Sequence, residues 1–201
     1  MTALDPERIQ EACAVLRDGG VVAYPTDTFY GLAVDPRLPA AVARLFAVKA
    51  RAPGQAVPLI AADNAQVDAA AELNEAAQRL ARVFWPGPLS IVVPARELIC
   101  VSARAVDGSV ALRVPACPAA RDLARAHGFC ITATSANRSG EPATTSAVEV
   151  ARALPGLIDF VLEGGETPGG EPSTLVDVRG REPRLVRAGA VPWDRVLRSL
   201  E

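Results

Sequence analysis

Residues 5–34 read DPERIQEACAVLRDGGVVAYPTDTFYGLAV, and this run decides the fold class. Asp5 followed by Pro6 is the chemistry of a helix start: a carboxylate to accept the first unpaired amides, then a proline where no donor is needed. Ile9, Ala12, Cys13 and Leu16 recur at helical spacing, so the segment predicts one helix with a single apolar face. Gly19 and Gly20 end it. VVAY (21–24) is short and continuously apolar, as a strand covered on both faces must be. Pro25 opens a polar corner, PTDT, and FYGLAV (29–34) resumes as a second strand. Helix, strand, hydroxyl-rich corner and strand in so short a run predict an α/β protein.

The alternation continues outward. A helix is expected over 39–49, with Val42, Leu45 and Phe46 on one side. VPLIAA (57–62) reads as a buried strand, and Asn64 as the cap of one alanine-rich helical region from Ala65 to about Phe84. WPGP (85–88) is a rigid corner, with Trp85 packed rather than offered as a stacking platform, before the strand LSIVVPA (89–95). SVALRVP (109–115), FCITATS (129–135), LIDFVLE (157–163), STLVDV (173–178) and PRLVRAG (183–189) are further strands. Helices are expected at 118–127, at 146–154 with Ser146 and Glu149 at capping-box spacing, and at 192–200. No repeat or long linker interrupts the pattern. The expectation is a single domain over residues 1–201, an α/β fold on a twisted open mixed sheet flanked by helices.

Composition narrows the function. Of 201 residues, 50% are hydrophobic and the formal net charge is -2, so any polyanion site must be a local cluster of arginines rather than a basic surface. The N-terminus lacks the basic start and apolar run of a signal peptide, and no apolar stretch reaches the roughly 18 residues of a membrane span. Cys13, Cys100, Cys117 and Cys130 are scattered without a C-x-x-C pair, and His127 is the sole histidine, so no zinc site is expected. Reduced thiols in a cytoplasmic protein are the plain reading. His127, closing a predicted helix, reads as a partner of the helix dipole. Gly164-Gly165 and Gly169-Gly170 lack the order of a phosphate loop and read as a mobile loop.

Polar side chains gather at strand ends in four places: PTDT (25–28), KAR (49–51), TATSAN (132–137) and EPST (171–174). Arg113 and Arg187 lie inside otherwise apolar strands, where a charge must face water, a partner or a ligand. Hydroxyls, an amide and several cations at strand ends suit a phosphorylated ligand. Each group also has a plainer reading. PTDT serves equally as a turn whose Asp27 and threonines bond their own backbone, and TSAN as a strand end with Asn137 satisfying local groups. Lys49 and Arg51 serve as a solvated helix end, and the two strand arginines as partners of surface carboxylates.

In this order the motifs resemble the YrdC-like family of threonylcarbamoyl-AMP synthases, in its short single-domain bacterial form. The matching pieces are YPTDTFYGLA (24–33), KAR (49–51), WPGPLSIVVPA (85–95), SVALRVP (109–115), TATSANRSGEP (132–142) and PSTLVDV (172–178). The resemblance implies a concave, positively charged cavity and an activity: L-threonine, bicarbonate and ATP become L-threonylcarbamoyladenylate and pyrophosphate. Partner proteins then transfer the threonylcarbamoyl group to an adenosine in tRNA. It implies that Thr28, Arg113, Ser173 and the backbone at Ala133 hold threonine. Lys49 and Arg51 would face the ATP phosphates and carry the catalysis, while Ser135, Asn137, Arg187 and main chain near Ser109 and Ala143 would contact the nucleotide. ATP enters as a substrate with Mg2+, and no tightly bound cofactor or dedicated metal site is expected. The family's K-x-R-P with a further lysine is altered at Ala52 and Gln55, which implies one phosphate-facing cation fewer. Ala33 stands where glycine is commoner. Two competing readings share the residues: a non-enzymatic double-stranded-RNA-binding module, and a carbamoyl-transfer domain of the kind found in larger hydrogenase-maturation proteins.

Lys49 is the only lysine, every other cationic side chain being arginine. An ammonium is a compact point charge and a guanidinium a planar fork, so the choice marks Lys49 as a place where the shape of the cation matters.

Overall fold

A computed structural model describes residues 4–51 and 56–201; the Ala52 and Gln55 departures lie outside them. Helix α1 spans Pro6–Arg17, with the Asp5 side chain accepting from Glu7 N at 2.9 Å and Ile9, Ala12, Cys13 and Leu16 buried. Gly19 follows with φ +80°, a backbone turn that an L side chain rarely adopts. Strands β1 (Val22–Pro25) and β2 (Tyr30–Ala33) pair antiparallel across the PTDT corner. Helix α2 is Pro39–Lys49, as the spacing predicts, and closes with Ala50 in the left-handed region at φ 48°.

The strand β3 (Leu59–Ile60) is followed by two helices, not one: α3 (Asn64–Ala70) and α4 (Glu75–Phe84). The alanine-rich run suits a helix throughout, but Ala71 is extended and bridges antiparallel to Ala95. Tertiary pairing overrides propensity there. The caps shift accordingly: Asp63 caps α3 by accepting from Gln66 N, and Asn74 caps α4 by accepting from Ala77 N at 2.9 Å. Then come β4 (Leu89–Pro94), a 3-10 turn at Val101–Ala103, β5 (Ser109–Arg113) and α5 (Pro118–His127). The run expected as one strand at 129–135 is two, β6 (Ile131–Thr132) and β7 (Thr134–Ser135). Helix α6 (Ala147–Ala153), β8 (Phe160–Val161), β9 (Thr174–Asp177), β10 (Arg184–Arg187) and α7 (Trp193–Arg198) complete the chain. At α6, Ser146 accepts from Glu149 N, while Glu149 reaches back to Thr145 N, one residue beyond a capping box.

The strands form two open mixed sheets, in the orders β7-β2-β1-β8 and β10-β9-β4-β5-β3-β6. The smaller sheet is covered on both faces. Ala23, Tyr30 and Leu32 join the main core, while Val22, Tyr24 and Ala33 join a second cluster with α1 and α5. Thr132 stitches the sheets together: its hydroxyl accepts from Val34 N at 2.9 Å and donates to Leu32 O at 3.0 Å. Its carbonyl takes the Tyr24 hydroxyl at 3.0 Å.

His127 lies in the last turn of α5, as expected, and has a partner the sequence did not show. Its side chain is fully buried and its Nε2 lies 3.1 Å from Asp35 Oδ2. Burial pushes the Asp35 carboxyl up, but hydrogen bonds from His127 and Arg37 outweigh that and leave it well below the usual carboxylate range. The four cysteines are free thiols. Among the described residues no helix is long and apolar enough to cross a membrane.

Candidate active site

The six-stranded sheet presents one face to a cavity of about 660 Å³. Strand alternation makes this possible. Ser90 and Val92 of β4, Ser109, Ala111 and Arg113 of β5, and Ser173 and Leu175 beside and within β9 line it. The intervening Leu89, Ile91, Val93, Leu112 and Val176 join the core. A period of two thus separates a polar, small-residue floor from an apolar underside. Ile91 pairs with Leu112, which brings Ser90 beside Arg113. The opposing wall comes from the β1–β2 corner, with Thr26, Thr28 and Phe29, and from Ala133 and Ser135 where the chain passes between sheets.

Thr28, Arg51, Ser109, Arg113, Ala133, Ser135, Ala143, Ser173 and Arg187 all line one cavity. Lys49 and Asn137 sit one layer behind. Lys49 is 4% exposed, and its Nζ donates to Ser135 O at 2.6 Å, to Asn137 Oδ1 at 2.9 Å and to Ser135 Oγ at 3.3 Å. Ser135 Oγ in turn donates to Asn137 Oδ1 at 2.5 Å, and Asn137 Nδ2 to Glu141 O. The lone lysine is a buried clasp on the TSAN turn, not a solvated helix end. Burial, then the charge of Arg51, lowers its ammonium to about 8.

The floor holds two arginines in contrasting settings. Arg187 donates through Nη2 to Ser173 O at 2.8 Å and Ser173 Oγ at 3.1 Å, and that hydroxyl lies 3.0 Å from Ser90 Oγ. Burial, then the nearby Arg113 charge, lowers the Arg187 guanidinium from its ordinary value. Arg113 instead meets Asp27, 86 residues away in the chain, with Nη1 at 2.7 and 2.8 Å from the two carboxylate oxygens. Asp27 does not close a local turn. Thr26 does, donating to Phe29 O at 2.6 Å. The Ala133 amide is engaged with Pro58 O at 2.8 Å.

Ser109 is held from outside the cavity. Its amide and hydroxyl donate to Asp107 Oδ1 at 3.0 and 2.6 Å, while Arg179 Nη1 binds Asp107 Oδ2 at 2.8 Å. The Ser109 hydroxyl bond and then Arg179 hold the Asp107 carboxyl down at about 2. The glycine-rich segment is tied to the corner rather than standing apart: Gly169 N donates to Thr28 O at 2.7 Å and the Tyr30 hydroxyl to Gly165 O at 2.9 Å. Sequence reasoning missed Ser90, Asp27 and Asp107 as site residues. A serine inside the apolar run LSIVVP was the signal for the first.

An open α/β sheet whose polar face forms a cleft lined by Arg51, Arg113 and Arg187 has the make-up of a small-molecule site suited to an anionic ligand. The sequence model of Sua5/YciO/YrdC, described as "Telomere recombination", matches residues 14–189, and the chain belongs to that family. It is 38% identical over 199 residues to the threonylcarbamoyl-AMP synthase of Pyrococcus abyssi, a match covering 94% of this chain but 58% of that protein. Against the threonylcarbamoyl-AMP synthase of Nitrosococcus oceani the identity is 35% over 173 residues, covering 86% and 94% of the two chains. The crystal structure of P. abyssi Sua5 complexed with L-threonine superposes with a TM-score of 0.93 at 35% identity, over 98% of this chain and 58% of that one. The chain thus spans little more than half the length of the Pyrococcus relative.

Proposed function

We propose that this chain is a threonylcarbamoyl-AMP synthase, joining L-threonine, bicarbonate and ATP with release of pyrophosphate. The observation that carries the reading is one cavity whose floor places Arg113 and Ser109 four residues apart on a single strand, about 13 Å along it. That separates an amino-acid end from a nucleotide end. At the Arg113 end, the guanidinium takes the threonine carboxylate, with Thr28, Ser173 and the backbone at Ala133 around it. Toward Ser109, Ser135 and Ala143 lies the nucleotide, with Arg51 and Arg187 on its phosphates. Lys49 supplies its charge from behind Ser135, and Asn137 keeps that turn in place.

Threonine's amine and bicarbonate give a carbamate with loss of water. A carbamate oxygen then attacks the α-phosphorus of ATP, the bond to the β-phosphate oxygen breaks, and pyrophosphate leaves. No protein nucleophile is required. Positioning and neutralisation of the moving negative charge supply the acceleration. Mg2+ enters as part of the ATP complex. Partner proteins in the cytoplasm take the adenylate on to tRNA.

The test is incubation with ATP, threonine and bicarbonate, omitting each in turn, with the adenylate read by mass and pyrophosphate by release. The expected result is product only when all three are present. Pyrophosphate release at an undiminished rate without threonine refutes the proposal.

A further inference from the structure

Asp27 backs the cavity-lining Arg113 with a carboxylate, a feature that binding an anion alone does not require. It stands at the tip of the β1–β2 corner between Thr26 and Thr28, both of which line the cavity. Its carboxylate reaches across to Arg113, and its Oδ2 also accepts from Ala116 N at 3.2 Å. The side chains of the pair are only 8% and 14% exposed, so this is not a weak surface contact of the ordinary kind. Both bonds fall on Nη1, and among the described residues Nε and Nη2 of Arg113 bond no other protein group.

Arg187, on the same floor, is bound by the neutral Ser173 carbonyl and hydroxyl. One arginine therefore carries a carboxylate counter-charge while its neighbour, among the described residues, meets neutral acceptors. Arg113 with Asp27 is a dipole, positive at the guanidinium and negative at the carboxylate, while Arg187, in the same cross-strand row with two strands between, is a net cation. A zwitterion fits the first, its carboxylate on the open guanidinium edge and its ammonium on the side of the Asp27 charge. A polyphosphate fits the second and is repelled by Asp27 at the first.

We propose that Asp27 is the specificity-determining residue that sorts the two ligands by charge, reserving Arg113 for an amino-acid zwitterion and excluding phosphate from it. This rests on the proposed function for the identity of the amino acid, whereas the exclusion of phosphate does not.

The experiment is calorimetry on wild type, Asp27→Asn and Asp27→Glu, with L-threonine and, separately, inorganic pyrophosphate. Asparagine keeps an acceptor for Arg113 and removes the charge. Asp27→Asn is expected to weaken threonine about tenfold, the equivalent of 1.4 kcal/mol, to tighten pyrophosphate several-fold, and to make the two ligands compete. Asp27→Glu retains the charge and is expected to go on excluding pyrophosphate even where its longer side chain costs threonine affinity, which keeps the test open should the asparagine variant fail to fold. Opposite movement of the two affinities is what a merely structural role would not produce. Parallel weakening of both ligands in Asp27→Asn, or no change beyond twofold in either, overturns the proposal. So does pyrophosphate binding to Asp27→Glu more tightly than to wild type. Should wild type bind no threonine, the proposed function fails, and the pyrophosphate comparison still decides whether Asp27 guards Arg113.

Discussion

Lys49 is expected to titrate near pH 8, and the structure gives the size of the consequence. The ordinary value is 10.5, lowered to about 8 by burial and then by Arg51. A gap of about 2.5 units is on the order of 3 kcal/mol of stability held back while the ammonium is charged. The sign follows from proton counting. Below pH 8 folded and unfolded chains both hold the proton, and the cost is present in full. Between 8 and 10.5 the unfolded chain keeps a proton that the folded one has released, so rising pH stabilises the fold through this group. Buried Tyr24 and Cys130 act oppositely, since burial raises both well above their usual values. The wild-type curve alone therefore mixes effects, and the Lys49→Met curve must be subtracted. At pH 7 the variant loses three hydrogen bonds from the ammonium, each of about 1.5–3 kcal/mol at most, but is relieved of the burial cost. Wild type then gains on it by roughly 3 kcal/mol as the pH rises to 10.5. Because the chain has one lysine, a sample labelled with 13C at lysine Cε yields one resonance and reads the midpoint directly. Adding ATP is expected to raise that midpoint as phosphate charge approaches. A midpoint at the ordinary lysine value, or a stability difference flat with pH, refutes the reasoning.

Asn74→Ala removes the cap of α4 and also the bond from Asn74 Nδ2 to Val178 O at 2.7 Å; about 2 kcal/mol should be lost, read by urea unfolding with an unchanged slope, and a loss under about 0.5 kcal/mol counts against the cap. Gly189→Ala places a Cβ 2.1 Å from Pro172 O and 2.7 Å from Ser173 C and Thr174 N, so backbone beside the cavity must yield. Threonine affinity should fall about tenfold together with a lower Tm, and binding at wild-type strength would show that the Ser173 position does not matter.

Much of this was readable in the letters, and the remainder shows where reading stops. Helices α2 and α5 keep the boundaries their prolines and apolar spacing announce, because those signals act within a few residues. The alanine-rich run does not, since what interrupts it is Ala95, distant in sequence. The run 129–135 has the composition of one strand, and nothing local says that Ala133 divides it between sheets. The gathering of Thr28, Arg113, Ser135 and Ser173 follows the strand-end pattern. The burial of Lys49 and the Asp27–Arg113 pair were hidden, because each depends on a partner 86 or more residues away.

The crossing at Ala133 acts as a fixed gauge. Two virtual bonds of about 3.8 Å join Thr132 in one sheet to Thr134 in the other, so at that point the sheets stand no further apart than about 7.6 Å, however their side chains change. Where Ala133 lines the cavity, the spacing of its walls is limited by covalent geometry. Admitting a bulkier substrate then calls for an insertion into this run, since trimming side chains deepens the slot without parting its walls.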